Sequence, residues 1–135
     1  MALVSILARR MRKVAVTLAA FGIVMCTGAT AKSAQPIATL FGRSGKHNAY
    51  VITLKFGSGR KVRTIPAGTY LFVIHDYSRF HNFALGSQTE NTRLFTTGIR
   101  WRGTKMYTLT LPPGNYAYAC SAHYRTMNGT FVVTG

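Results

Sequence analysis

The sequence is short and strongly basic. Its 135 residues suffice for one domain and are too few for two well-packed cores. There are 17 lysine and arginine residues against two acidic residues, which gives a formal net charge of +15. A charge of this size implies a cationic surface and favours acidic partners or anionic surfaces, but it does not indicate a fold.

The first segment has the three parts of a secretory signal peptide. Residues 9–13 (RRMRK) are basic, residues 14–25 (VAVTLAAFGIVM) are apolar, and residues 29–31 (ATA) supply a small-residue cleavage signal. The apolar run is too short to cross a bilayer comfortably. We therefore predict a signal peptide over residues 1–31 and a mature domain over residues 32–135, exported to the periplasm or the cell exterior.

Two details of this segment remain alternatives. Translation could start at Met11 instead of Met1, which would give a more compact signal of the same type. Cys26 could suggest a lipid anchor, but the bulky Met25 precedes it where lipidation signals carry a small residue. We expect no lipid anchor.

Short runs of β-branched and aromatic residues recur along the mature segment, separated by turn residues. No window keeps apolar residues at helical spacing, whereas the later runs alternate with a period of two. This pattern predicts an all-β protein, a Greek-key β-sandwich of about seven to eight antiparallel strands. Residues 87–104 are predicted to form a long connection with room for one short strand. The runs are residues 37–41, 49–56, 68–76, 81–86, 105–111, 115–121 and 129–134.

Removal of residues 1–31 leaves Cys120 as the only cysteine. A single cysteine in a small exported domain is an intermolecular link, a thiol with a chemical role, or a buried small hydrophobe. Its neighbours favour chemistry, because Cys120, His123 and Met127 follow the spacing C-x2-H-x3-M between two predicted strands. A thiolate, an imidazole and a thioether form a soft to borderline ligand set, which suits copper.

A second imidazole would complete a trigonal site of two histidines and a cysteine with a weak axial methionine, the blue-copper arrangement. His81 is the obvious choice, because it opens a predicted strand and could meet Cys120 if the two strands are neighbours. His47 and His75 fit no ligand pattern, so we expect them on the surface.

The mature chain resembles, nearly end to end, the small plastocyanin/azurin-type blue copper proteins, the cupredoxins. The resemblance rests on HNF at 81–83, on PPGNYAYACSAH at 112–123 and on MNGTFVV at 127–133. The stretch GTYLFVIHDYSRFHNF at 68–83 is also similar to the strand and loop before the first ligand in short bacterial members.

The resemblance implies that His81 and His123 are imidazole ligands, Cys120 the thiolate and Met127 the axial thioether of one copper ion. It also implies that Asn82 ties the loop of the first ligand to the cysteine loop by hydrogen bonds. Three residues separate His123 from Met127, where plastocyanins usually have four, which leaves the axial bond length and the reduction potential open.

These ligands leave no open coordination position for a substrate. We therefore expect a carrier of single electrons that cycles between Cu(I) and Cu(II) by outer-sphere transfer, and not an enzyme. The resemblance implies that electrons pass through the partly exposed edge of His123, with Ala122 and Tyr124 beside it as a docking surface.

Three other chemistries are less favoured. Zinc prefers harder or fully thiolate ligands. A nucleophilic Cys–His enzyme needs an orienting third group, and neither Asp76 nor Glu90 lies near Cys120 in the sequence. An exported copper carrier or scavenger, the main alternative function, commonly uses open, methionine-rich sites, whereas the mature segment contains only Met106 and Met127.

The mature segment keeps thirteen basic residues against two acidic ones, a net charge of +11. Export makes nucleic acid an improbable partner, whereas acidic redox proteins and anionic membrane surfaces suit this charge. We expect a monomer whose partners are steered by positive charge near the metal end; solubility alone is the alternative explanation of that charge. The basic residues expected there are Arg79, Arg100, Arg102 and Arg125.

Overall fold

The computed structural model describes residues 35–135. The signal peptide predicted over residues 1–31 lies outside the described residues and stays a prediction. Within the described part, no helix has the length and apolar character needed to cross a membrane.

Residues 35–135 form nine strands and a single three-residue 3-10 turn, Lys46–Asn48. The strands are β1 Ala38–Ser44, β2 Ile52–Phe56, β3 Thr64–Pro66, β4 Gly68–Asp76, β5 Ala84–Ser87, β6 Thr92–Thr96, β7 Gly103–Leu111, β8 Gly114–Ala119 and β9 Asn128–Thr134.

The strands form two sheets that pack as a sandwich, which confirms the predicted all-β class. One sheet has the order β2-β1-β4-β7 and the other β3-β9-β8-β5-β6. The expectation of wholly antiparallel pairing is wrong at two places, because β1 pairs with β4 and β3 with β9 in parallel. Parallel neighbours need a crossover connection. Here β2 and β3 lie between β1 and β4 in the chain, and β4 to β8 lie between β3 and β9.

The core lies between the sheets and is rich in aromatic rings. Phe72 of the first sheet meets Phe95 of the second with ring centroids 5.8 Å apart. Phe83 stacks between Phe95 and Tyr118, at centroid distances of 6.2 and 5.5 Å. Cys120 joins this buried cluster, so the apolar core continues directly into the loop with the predicted ligands.

The strand limits differ from the predicted ones near the ligands. The run predicted as a strand from residue 81 becomes a regular strand only at Ala84. Before that point the backbone bonds to side chains: the Asn82 carbonyl accepts from the Ser44 hydroxyl, and the Phe83 N–H donates to the Thr97 hydroxyl. The run predicted from residue 49 starts at Ile52, because residues 45–51 form a loop. The connection over residues 87–104 contains one short strand, β6, as predicted.

Strand register brings the predicted ligands to one end of the sandwich. β5 and β8 are antiparallel neighbours with Ala84 opposite Ala119. Residues just before β5 therefore lie beside the residue just after β8, which places His81 next to Cys120. The parallel pairing of β1 and β4 brings the loop after β1 to this same end, where the backbone N–H of Tyr77 donates to Ser44.

Candidate metal centre

Three donor atoms converge at this end of the sandwich. Nδ1 of His81 lies 3.1 Å from Nδ1 of His123, and Sγ of Cys120 lies 3.9 Å and 3.6 Å from these two nitrogens. A point inside this triangle is about 2.1 Å from all three atoms, close to the bonds of about 2.0 to 2.3 Å that nitrogen and sulfur ligands make to a borderline metal ion. The triangle is therefore the right size for one metal ion.

A backbone carbonyl determines which nitrogen of His81 faces the cluster. Nε2 of His81 lies 3.3 Å from the carbonyl oxygen of Asn48, and only a protonated Nε2 can donate to it. Nδ1 then keeps its lone pair for the centre of the triangle. Such outer hydrogen bonds orient metal-binding histidines and fix their tautomer.

The ligand loop holds the other predicted residues by its own backbone bonds. His123 N–H donates to the Cys120 carbonyl at 3.1 Å, and Met127 N–H donates to the His123 carbonyl at 2.8 Å. Cys120 N–H in turn donates to the Met127 carbonyl at 3.0 Å, which closes the loop. The short C-x2-H-x3-M spacing thus forms a tight turn that holds the backbones of Cys120, His123 and Met127 close together.

Burial differs among the four residues. Cys120 and Met127 are fully buried, His81 is 1% exposed, and His123 is half-buried. The two sulfur groups are therefore screened from water, whereas one imidazole reaches the surface. Ala122 and Tyr124, the predicted docking residues beside it, are exposed.

Asn82 connects the two segments that carry the donors, as expected. Its Oδ1 accepts the backbone N–H of Ser121 at 2.7 Å, and its Nδ2 donates to the hydroxyls of Ser121 and Thr96 at 3.1 and 2.9 Å. Ser44 donates to the Asn82 carbonyl, which adds β1 to the network. Every polar group of this buried amide has a partner, so it acts as a rigid spacer between His81 and Cys120.

Asp76 is a buried carboxylate close to the site. It is 2% exposed and accepts hydrogen bonds from the hydroxyl of Thr97 at 2.6 Å and the backbone N–H of Ser78 at 3.3 Å. Burial raises the pKa of Asp76, and the hydrogen bonds from Thr97 and Ser78, together with the nearby His81 and Lys105 side chains, only partly oppose this. Thr97 also accepts the N–H of Phe83, so Asp76 helps to fix the segment after His81.

The loop of residues 45–51 was not predicted to belong to the site. It supplies the Asn48 carbonyl to His81 and places the ring of Tyr50 against both imidazoles. His47 and Asn48 have φ values of 55° and 56°, in the left-handed region that histidine and asparagine enter more readily than most residues. Gly45 precedes them at 63°, where a Cβ would lie 2.8 Å from Cδ2 of His81. The turn residues GKHN were the only signal in the sequence, and they do not reveal which end of the sandwich the loop covers.

Other singled-out residues lie outside the donor cluster. His47 is exposed, as expected, and His75 is half-buried on β4 with Nδ1 2.8 Å from the Thr104 hydroxyl. Arg79 and Arg100 meet through a backbone hydrogen bond of 3.1 Å in the segments flanking the site, and Arg125 lies on the ligand loop.

Comparison with solved structures identifies the fold. The chain matches auracyanin A, a blue copper protein from the green thermophilic photosynthetic bacterium Chloroflexus aurantiacus, at 21% identity over 74% of this chain and 100% of that one, with a TM-score of 0.52. Auracyanin B matches at 19% identity over 75% and 91% of the two chains, also at 0.52. Rusticyanin from Thiobacillus ferrooxidans matches at 14% identity over 71% and 76%, again at 0.52.

No protein family model and no curated protein sequence matches the chain. At these identities the structural likeness establishes the architecture alone. The chain has a cupredoxin-type fold, and the donor cluster lies at one end of it.

Proposed function

We propose that this protein is an exported type 1 (blue) copper protein that carries single electrons between redox partners. The observation that carries the proposal is the triangle formed by Nδ1 of His81, Nδ1 of His123 and Sγ of Cys120. The cupredoxin-type fold supports it, since auracyanin A is a blue copper protein of similar architecture.

The donor set fits copper by its chemistry. Two imidazoles and a thiolate that lie close together, with a thioether in the same loop, form the combination that copper accepts in both of its common oxidation states. His81, Cys120 and His123 would hold the ion, and Met127 would be a weaker fourth ligand. The bound copper would supply a one-electron couple.

The chain contributes rigidity and selective exposure. Asn82, the ligand loop and the Asn48 carbonyl hold the donor atoms in one arrangement, so little rearrangement need accompany a change of charge. Burial of Cys120 and Met127 excludes water from the sulfur side. Half-buried His123 is the donor nearest to solvent, which supports electron exchange through its edge between Ala122 and Tyr124.

This arrangement supports electron transfer over copper delivery and over catalysis. A carrier must release its ion, whereas these donors are almost enclosed and cross-linked by backbone bonds. An enzyme needs room for a substrate at the metal, and the four side chains would occupy the usual positions of a blue-copper ion. We therefore propose a non-enzymatic role.

Export and partner choice follow from the sequence. The signal peptide predicted over residues 1–31 supports a periplasmic or extracellular location. The net charge of +11 on the mature segment supports acidic redox proteins as partners, with an anionic membrane surface as a second possibility, and a monomer as the working form.

The absorption spectrum of the oxidised, copper-loaded protein tests the proposal directly. We expect an intense sulfur-to-copper charge-transfer band near ~600 nm, as type 1 sites with a cysteine thiolate give. Cys120→Ser should abolish this band, because it removes the thiolate. Absence of the band in the wild type, or its persistence in Cys120→Ser, would contradict the proposal.

A further inference from the structure

Tyr50 contacts both imidazoles of the donor cluster from the solvent side. Its ring centroid lies 5.0 Å from that of His81 at an interplanar angle of 74°, and 4.8 Å from that of His123 at 78°. These are edge-to-face contacts, the favourable geometry for rings with opposite quadrupole regions. Tyr50 itself is 61% exposed, whereas His81 is 1% exposed, so an exposed aromatic ring packs against a buried imidazole.

The surrounding loop keeps Tyr50 in this position. Gly45 N–H donates to the Val51 carbonyl at 3.0 Å, which joins the two ends of the loop on either side of Tyr50. Two non-glycine residues, His47 and Asn48, adopt left-handed backbone angles within it. Such conformations persist only where neighbouring contacts enforce them, and they concentrate at functional sites. In this loop the Asn48 carbonyl contacts His81, and the Tyr50 ring contacts both His81 and His123.

We propose that Tyr50 is a positioning residue that also shields the donor cluster. Its ring limits the rotation of the His123 imidazole and blocks the approach of solutes to Cys120 from the solvent side. The proposal deepens the proposed function, on which its copper-dependent part rests. The contacts of Tyr50 are nevertheless present in the chain without metal, so shielding can be tested separately from copper binding.

Thiol alkylation of the metal-free protein tests the shield. With Cys26→Ser in the background, Cys120 is the only thiol of the full-length chain, and iodoacetamide reports on its accessibility. We expect Tyr50→Ala to increase the alkylation rate, by roughly two- to tenfold if about one aromatic contact limits opening. Tyr50→Phe should keep the wild-type rate, because the ring makes the contacts.

Phe80→Ala is the matched control, because Phe80 is a 68% exposed aromatic residue next to His81 without a ring contact to either imidazole. It should alkylate at the wild-type rate. Urea unfolding of each variant separates local exposure of Cys120 from general destabilisation. If Tyr50→Ala does not fold, Tyr50→Leu takes its place, since it keeps apolar bulk and loses the aromatic ring.

Copper-loaded protein tests the positioning role. In Tyr50→Ala we expect faster removal of Cu(I) by bathocuproine disulfonate and a changed electron paramagnetic resonance spectrum of Cu(II), with Tyr50→Phe restoring both. Equal alkylation of wild type, Tyr50→Ala and Phe80→Ala would overturn the shield. Unchanged copper release and spectrum in Tyr50→Ala would overturn the positioning role. A wild type without the absorption band near ~600 nm would refute the copper proposal instead and leave the alkylation result to decide the shield.

Discussion

The Oδ1 atom of Asn82 accepts the backbone N–H of Ser121 at 2.7 Å and so joins the residue after His81 to the residue after Cys120. These two residues are 39 positions apart in the sequence. The bond is shorter than most between neutral groups, and the amide is 2% exposed, so water cannot replace it readily. One buried side chain therefore reinforces the placement of the imidazole beside the thiol that the β5–β8 register sets.

Asn82→Ala should destabilise the protein and loosen the donor cluster. Removal of the amide leaves the Ser121 N–H and the Thr96 hydroxyl without this partner, which should lower the free energy of unfolding by about 1–3 kcal/mol. Urea unfolding of the metal-free protein measures this loss. Asn115→Ala, a change of an exposed asparagine on β8, should cost much less. Equal losses in the two variants would mean that the Asn82 network does not carry the stability assigned to it.

Met127 should tune the site without being needed for binding. Met127→Leu keeps the apolar volume and removes a weak axial donor, which should favour Cu(I) over Cu(II) and raise the reduction potential while copper and colour are retained. Electrochemical titration of the loaded protein measures the change. Met106→Leu is the control, because Met106 is 69% exposed on β7 and should leave the potential unchanged.

His81→Ala, in contrast, should sharply weaken copper binding, because it removes an in-plane imidazole. If Met127→Leu loses copper altogether, or has the wild-type potential, the axial assignment of Met127 is wrong.

Asp76 should make the folded state less stable as the pH rises. Burial raises its pKa above the ordinary value of 3.8, so the folded state holds the carboxyl proton more tightly than the unfolded chain does. The stabilisation from Asp76 is therefore complete below the pKa that this carboxyl has in the unfolded chain. It is lost as the pH rises through the higher pKa that Asp76 has in the folded protein. The free energy of unfolding of the wild type, measured relative to Asp76→Asn, should decrease over that interval.

Urea unfolding of the metal-free wild type and Asp76→Asn at a series of pH values checks this, because contributions of the other groups cancel in the difference. A wild type that gains stability over Asp76→Asn with rising pH would show that the hydrogen bonds from Thr97 and Ser78 outweigh burial.

Positive charge near the metal end should speed encounter with an acidic redox partner. Arg100 and Arg125 are both exposed, and the loops that carry them adjoin the segments of His81 and His123. The electron-transfer rate with an acidic acceptor should fall steeply as salt shortens the Debye length to about 10 Å at 0.1 M. Arg100→Glu and Arg125→Glu should reduce the rate at low salt. Stopped-flow kinetics against ionic strength measure both effects.

Arg60→Glu provides a control with the same change of charge at the opposite end of the sandwich. Arg60 lies in the turn after β2, and the register of β2 with β1 places the end of β2 away from the donor cluster. If the electron-transfer rate does not change with ionic strength, or falls equally in Arg60→Glu, Arg100→Glu and Arg125→Glu, the arginines near the metal end serve solubility and not steering.

Local patterning in the sequence was sufficient for the class of fold and for the four residues proposed as ligands. Alternation with a period of two indicates which side of a strand is buried, so the two-layered β architecture follows from short windows such as residues 105–111. Cys120, His123 and Met127 lie within eight residues, so one turn brings them together. His81 was predicted because it opens a strand that could neighbour the strand of Cys120, and the register of Ala84 with Ala119 gives the physical reason why the two residues meet.

Only the tertiary structure shows that Tyr50, Asn48 and Asp76 lie next to the donor cluster. Nothing in the spacing of these residues relates them to Cys120, because their positions depend on the parallel pairing of β1 with β4 and on the end of the sandwich at which the loop after β1 emerges. Strand order is decided by the packing of the whole core, which no short window contains. The sequence by itself thus indicated which residues are proposed as ligands, while the fold decided which atoms face one another and which side chains orient, bury and cover them.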